Sequence, residues 1–514
     1  MKKRALVFFS KQKVFAMFLL LVQLAVIITL IITSSAFSGY IHSAFNLLSV
    51  LVSIHILNKN GKSAFKITWL FLILVFPIFG GLFYIVFYLQ SDPKKYRQAI
   101  RLAVQESRSF FLLPDTALAD LENDKYFIQA RYLQEHSGFP VYKKTETLYF
   151  PSGEEFYKRL LTELEKAQAY IFLEFFIFTD GIMLNGIMNI LKRKAQNGVD
   201  IRIIYDDLGC LKTLPENFNA MLKEAGITFQ VFNPFRPVLS SLQNYRDHRK
   251  IVSIDGRTAF TGGINIGDEY INAYEKYGHW KDSAIMLKGH AAWSMSIMFL
   301  RMWNSSFAGN ERKKSQSYMQ FYPWKDTPCT IRGEGYVQPY SSNPISKEYV
   351  CEQVYLRIIN SAENYVYINT PYLIPDEEVF VSLVSQARSG TDIRIITPHK
   401  PDKPLVHRVT RASYRRLIAA GVRIYEYSKG FNHSKTFVSD DICAAVGSAN
   451  LDFRSLCLHF ECGVWIYKTN TVLDIKNDFL NTLKECRTVT IKDCSRTIFQ
   501  RIIDSILYIL SPVL

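Results

Sequence analysis

Residues 248–265 read His-Arg-Lys-Ile-Val-Ser-Ile-Asp-Gly-Arg-Thr-Ala-Phe-Thr-Gly-Gly-Ile-Asn, and residues 433–450 read His-Ser-Lys-Thr-Phe-Val-Ser-Asp-Asp-Ile-Cys-Ala-Ala-Val-Gly-Ser-Ala-Asn. Both stretches follow one pattern, H-x-K-x4-D-x6-G-[GS]-x-N. His248, Lys250, Asp255, Gly262 and Asn265 recur at the same offsets as His433, Lys435, Asp440, Gly447 and Asn450. Five matched identities are far more than a chance histidine supplies, so the two stretches are copies of one element.

The surroundings of each copy repeat as well. In the first half Ala169 to Phe178 is a near-continuous apolar run, as a strand buried on both faces requires. A helical segment near 183–196 follows, then Gly198-Val199-Asp200-Ile201-Arg202-Ile203-Ile204 turns into a second strand. A helix near 215–225 leads through Gly226 into a third strand, Ile227 to Phe232. In the second half Asn364 to Thr370 is the apolar strand and 376–389 suits a helix. Gly390-Thr391-Asp392-Ile393-Arg394-Ile395-Ile396 then matches the earlier heptapeptide, and 410–420 leads through Gly421 into Val422 to Tyr427. Strands alternating with helices predict an α/β class with a mainly parallel or mixed sheet in each half. The halves are placed at 146–330 and 331–490.

Each motif begins on a β-branched run, and the first run ends in Asp255-Gly256, a tight-turn signal. On a strand, His248 and Lys250 point to one face, and so do His433 and Lys435. A neutral imidazole beside an ammonium is a poor metal site, because the fixed charge opposes a cation. It is a good oxyanion site: the lysine holds the anion while the histidine does chemistry. The Gly-[GS]-x-Asn segment adds small residues, backbone donors and an amide from Asn265 and Asn450. Two such sites brought together suit phosphoryl transfer through a covalent histidine intermediate. One imidazole attacks phosphorus while the other protonates the leaving alcohol, and the lysines stabilise the non-bridging oxygens. No cofactor and no metal is expected.

The chain has 514 residues, of which 48% are hydrophobic and 21% charged, with 61 Lys+Arg against 46 Asp+Glu and a net charge of +15. That balance favours an anionic partner, either nucleic acid or an acidic membrane surface. The eight cysteines form no C-x-x-C pair and read as buried free thiols. The apolar content is concentrated in three segments, about 14–36, 40–57 and 67–89. Val14 to Thr33 is uncharged and long enough to cross a bilayer core of about 30 Å. The third segment carries Pro77 and Gly80-Gly81, which predict a kink or a re-entrant hairpin. The basic flanks at Lys59, Lys62 and Lys66, and at Lys94, Lys95 and Arg97, favour a cytoplasmic catalytic region. Residues 91–145 read as a basic connector. In 491–514 an amphipathic helix carries Phe499, Ile502, Ile503, Ile506, Ile509 and Leu510 on one face, docked on a core or on a membrane surface.

At the repeated motif the chain resembles the phospholipase D superfamily. The resemblance implies two tandem phospholipase D-like α/β sandwich repeats that share one active site. His248 would be the nucleophile and His433 the acid/base, with Lys250, Asp255, Lys435 and Asp440 completing the catalytic set. It also implies an acidic residue downstream that orients a histidine. Glu461, in Leu458-His459-Phe460-Glu461, fits, and Asp282, in Gly278-His279-Trp280-Lys281-Asp282, is its counterpart. Gly263 stands where the second motif has Ser448, which removes a hydroxyl donor from the first site. Within the superfamily the chain is most similar to the bacterial cardiolipin synthases. Four features carry this: the N-terminal segments, Ser137-Gly138-Phe139-Pro140-Val141-Tyr142, the run from Gly447 to Leu456, and the Ser511-Pro512-Val513-Leu514 terminus. The implied reaction joins two phosphatidylglycerol molecules and releases glycerol at a bacterial cell membrane crossed more than once, with anionic phospholipids rather than nucleic acid as partners. The alternatives are a phospholipase D-type hydrolase or another phosphatidyltransferase, then a nuclease or a non-enzymatic membrane scaffold.

Overall fold

The apolar run after Ala169 becomes the strand Tyr170–Phe175, buried at every position. It sits inside a seven-stranded sheet in the computed structural model, which describes residues 36–89, 94–111, 117–235, 241–305, 318–346 and 348–513. The strand order is Thr145–Phe150, Ala284–Gly289, Thr258–Gly262, Lys250–Ile254, Tyr170–Phe175, Asp200–Asp206, Thr228–Phe232. The last three run parallel, joined by crossovers through the helices Ile182–Gln196 and Phe218–Glu224, and the other pairings are antiparallel. Parallel strands need such crossovers, which cover a sheet face and explain the unbroken apolar runs.

The second half repeats this order with Tyr336–Ser342, His459–Tyr467, Cys443–Gly447, Thr436–Ser439, Tyr365–Asn369, Asp392–Pro398 and Arg423–Tyr427. It adds Cys486–Thr488 at the edge. The duplication extends to side chains. Arg202 pairs with Asp200 at 2.7 Å and lies over Phe172, while Arg394 pairs with Asp392 at 2.7 Å and lies over Tyr367. The repeated D-I-R therefore encodes one local ion pair on the strand, with the guanidinium against an aromatic ring. The halves share a continuous core that takes Phe172, Leu287 and Trp293 from the first and Val438, Val464 and Phe479 from the second. All eight cysteines are free thiols, and six of them are buried.

The expected connector is not a separate spacer. Residues 94–234 and 245–496 form one compact unit. Within it the buried Arg301 guanidinium donates to Ser107 Oγ (2.7 Å), to Ser137 O (3.3 Å) and to Gly138 O (3.2 Å). Three neutral acceptors thus fasten the chain before residue 145 to the first half.

The other unit comprises, among the described residues, 36–89, Phe235, 241–244 and 497–513. The expected span 14–36 falls almost wholly outside the described residues. The expected span 40–57 lies within the helix Ala36–Asn58. The expected span 67–89 is not one helix but two, Ser63–Val75 and Pro77–Leu89. A proline has no N–H to continue the ladder and disfavours helical geometry at the preceding Phe76. At Gly80 a side chain would meet Ile73 Cα and Leu72 O at 2.7 Å, so the reversal is tight and needs glycine. Among the described residues no helix is long and apolar enough to cross a membrane. The expected C-terminal helix is Ile498–Leu510, started by a capping box between Thr497 and Gln500. It joins the N-terminal helices, with Thr68 Oγ1 donating to Ile509 O at 2.6 Å.

Candidate active site

Each motif histidine sits where the chain passes from one sheet interaction to another. The short strand Arg246–Asp247 pairs in parallel with His459–Phe460 of the second half, and Gly430–Asn432 pairs in parallel with His279–Lys281 of the first. These two bridges continue into the site, because His248 N donates to Phe460 O (2.9 Å) and His433 N to Lys281 O (2.7 Å). The residue after each acceptor is an acid, Glu461 or Asp282. The expected single strand through the histidine is therefore shorter: the antiparallel strands begin at Lys250 and Thr436.

The consequence is reciprocal. His248 Nδ1 lies 2.9 Å from Glu461 Oε1 and 3.1 Å from its Oε2, while His433 Nδ1 lies 2.7 Å from Asp282 Oδ2. Each histidine is held by the acid of the other half, so neither half holds an oriented imidazole alone. A carboxylate acceptor fixes the proton on Nδ1 and leaves the Nε2 lone pair free. Ser448 Oγ donates to the second Glu461 oxygen, and Ser283 N donates to Asp282 Oδ1 at 2.8 Å. The glycine at 263 also gains a reason. A side chain there would fall 2.1 Å from Asp282 Oδ1, so the shorter acid is accommodated by glycine where the longer Glu461 meets serine.

The charges form one group. Burial lowers the His248 pKa well below its usual value, and the Lys250, Lys435 and His433 charges add to that. Burial and then Lys435 push His433 down to about 4, against the pull of Asp282. Burial also lowers Lys250 to about 8 and Lys435 to about 7, opposed by Glu461 and Asp282. Each lysine charge also reaches the histidine of the other half, as expected where the cross-half bonds hold both motifs at one site. Both imidazoles are neutral near pH 7, as a nucleophile requires. Lys250 and Lys435 each donate to the carbonyl of the histidine two residues earlier, which ties the ammonium beside the imidazole.

The remaining expected residues lie elsewhere or do other work. Asp255 accepts from Gln168 N, Ala169 N and Tyr170 N, each at 2.8 Å, and Asp440 accepts from Glu363 N (2.8 Å), Asn364 N and Tyr365 N (2.9 Å). Each opens its hairpin turn with a positive φ, 51° and 53°. Four residues of extended chain lie between each and its lysine, five steps or roughly 16 Å. They anchor the start of the neighbouring strand rather than joining the histidine–lysine group. Asn265 is likewise committed, its Oδ1 to Ile177 N (3.2 Å) and its Nδ2 to the Tyr270 hydroxyl (2.7 Å). The buried Asn450 keeps its Oδ1 without a partner. Three residues near the site carried no sequence signal: Trp280, whose ring lies 5.4 Å from His433; His459, 5.3 Å from His248; and Lys403, whose charge also lowers His248.

The family model described as "Cardiolipin synthase, PLD-like domain" matches residues 160–289 and 355–483, and a phospholipase D-nuclease N-terminal model matches 47–87. The chain is 41% identical to an uncharacterized protein of Streptococcus mutans, over 85% of this chain and 94% of that one. It is 34% identical to a cardiolipin synthase of Geobacillus thermodenitrificans, over 96% of this chain and 98% of the relative. A phosphatidylserine synthase structure from Haemophilus influenzae shares the fold at 14% identity and a TM-score of 0.56, covering 75% of this chain and 99% of that one. With the family model matching both halves and a relative aligned nearly end to end, the chain belongs to the cardiolipin synthase family of phospholipase D-like proteins.

Proposed function

We propose that the protein is a phosphatidyltransferase that makes cardiolipin from two phosphatidylglycerol molecules and releases glycerol. The observation that carries this reading is the reciprocal pairing of His248 with Glu461 and of His433 with Asp282 in a chain of this family. His248, with its proton held on Nδ1, attacks the phosphodiester through Nε2. The P–O bond to the headgroup glycerol breaks, and His433 supplies the proton that glycerol carries away. The phosphatidyl group now rests on His248. A hydroxyl of a second phosphatidylglycerol gives its proton to His433 and attacks phosphorus, which returns His248 to the free state. Lys250 and Lys435 neutralise the non-bridging oxygens in both steps. The anion of the bound lipid offsets the lysine charges that add to burial in keeping His433 neutral in the empty site, so substrate binding favours the imidazolium needed for the first proton transfer.

Purified protein incubated with phosphatidylglycerol is expected to yield cardiolipin and glycerol in equal amounts. Phosphatidic acid as the main product would replace the transferase reading by a hydrolase.

Both substrates are confined to a bilayer, and the helices of the smaller unit supply an apolar exterior. Leu47 is 62% exposed, Leu74 80%, Ile498 78% and Phe499 72%. Water is a poor neighbour for such a surface, and lipid a good one. We place these helices at a bacterial cell membrane. In vesicle flotation the full chain should rise with phosphatidylglycerol vesicles, and I498D/F499D should weaken flotation about tenfold. Unchanged flotation of that variant would remove the C-terminal helix from the contact.

A further inference from the structure

The two halves differ at one position beside the matched histidines. Lys281 and Phe460 are equivalent, since their carbonyls accept from His433 N and His248 N. The residues just before them are Trp280 and His459. Trp280 packs its indole on His433, whereas His459 places an imidazole on His248, with ring centroids 5.3 Å apart.

His459 is poorly explained as packing. Both of its ring nitrogens are closed to solvent and lack a hydrogen-bond partner. Glu461 Oε1 is 3.7 Å from its Nδ1, too far for a hydrogen bond. A buried polar group left unsatisfied costs about 1–3 kcal/mol, and an apolar ring would avoid that. Glu461 Oε1 is also the atom 2.9 Å from His248 Nδ1. His248, His459 and Glu461 each offer one ligand atom, and these lie within 4.8 Å of one another. Ser448 Oγ holds the other Glu461 oxygen, as an outer partner of a ligating carboxylate does.

We propose that His248, His459 and Glu461 form a site at which a borderline transition-metal dication such as zinc inhibits the enzyme. Two imidazoles and one carboxylate suit zinc, copper or nickel and are a poor set for magnesium or calcium. The inhibition follows from the tautomer. Metal binding at His248 Nδ1 uses the lone pair of that nitrogen, so the ring proton moves from Nδ1 to Nε2. No proton is lost, but the Nε2 lone pair that attacks phosphorus is gone. Glu461 changes from hydrogen-bond acceptor to ligand. Lys250 and Lys435 oppose a cation and Glu461 and Asp282 offset them, which makes the site reversible rather than a seat for a resident cofactor. The equivalent triad of the other half has Trp280 in place of a ligand and cannot do this. The inhibitory part rests on His248 being the nucleophile, whereas metal binding does not.

The test uses the purified full-length protein in detergent. Equilibrium dialysis against zinc should show one zinc ion more per chain in the parent than in H459W, which copies the other half, and than in H459N, which keeps a polar side chain of moderate size. Comparing stoichiometries removes zinc held by thiols such as Cys329 and Cys486. Zinc affinity should fall by about 10–100-fold in either variant. In the lipid transfer assay zinc should inhibit the parent, magnesium at the same concentration should not, and the zinc dose needed should rise about tenfold or more in H459N. Equal zinc binding by the parent and both variants would overturn the site. Zinc bound through His459 without any inhibition of transfer would overturn the tautomer mechanism and leave the proposed transferase activity standing.

Discussion

H248A and H433A will each lose about a thousandfold or more of phosphatidyl transfer, and they will lose it at different steps. Both imidazoles are buried and held through Nδ1, so both present Nε2 to the same group. The difference lies in what each is asked to do. A nucleophile is needed for any covalent intermediate, while an acid is needed only when the leaving group is a poor one. A phosphatidyl ester of p-nitrophenol leaves without help. With that donor, H433A quenched in denaturant at mildly alkaline pH, which spares the P–N bond, should carry labelled phosphatidyl group and then stall, because nothing deprotonates the acceptor. H248A should carry none. Label on H248A and not on H433A would reverse the two roles while keeping the two-histidine chemistry.

Much of this site could be read in the sequence, for a reason visible in its elements. The motif residues are close along the chain, and their neighbours are period-two strands or unbroken apolar runs. Asp200–Asp206, Tyr365–Asn369 and Asp392–Pro398 accordingly fall within two residues of where the pattern puts them, and Tyr170–Phe175 ends three residues before its apolar run does. What the sequence hides is long-range pairing. The partners His248 and Glu461 are 213 residues apart, and only the bridges of Arg246–Asp247 with His459–Phe460 and of Gly430–Asn432 with His279–Lys281 bring such pairs together. Two- and three-residue strands carry no periodicity to detect. Asp255 has a second role that the spacing does not reveal. Its place in the motif reflects the turn it opens and the three backbone amides it collects, a local role that spacing cannot tell from a catalytic one. In 67–89 the break was legible, because Pro77 and Gly80-Gly81 interrupt the apolar run where the helices Ser63–Val75 and Pro77–Leu89 meet.

The largest effect on stability is expected at the residue between the catalytic pair. Arg249 faces away from His248 and Lys250 into the protein, with its guanidinium against Glu174 and its Nε 3.2 Å from Asp247 Oδ1. Glu174 and Asp247 are both fully buried, and Glu174 lies on the strand that pairs with Lys250–Ile254. Burial works against charge on Arg249, but the two carboxylates outweigh it and raise its pKa. R249L should therefore strand two buried acids and cost about 3–5 kcal/mol. Lysine restores the charge without the fork that reaches both acids, so R249K should fall between R249L and the parent. E174Q should cost less than R249L, because Asp247 still balances the guanidinium. Urea unfolding of the detergent-solubilised protein, followed by tryptophan fluorescence, measures the ranking. R249L unfolding at the parent midpoint would mean that this ion cluster does not hold the catalytic strand to its neighbour, and that residue 249 acts only through the chemistry on either side of it.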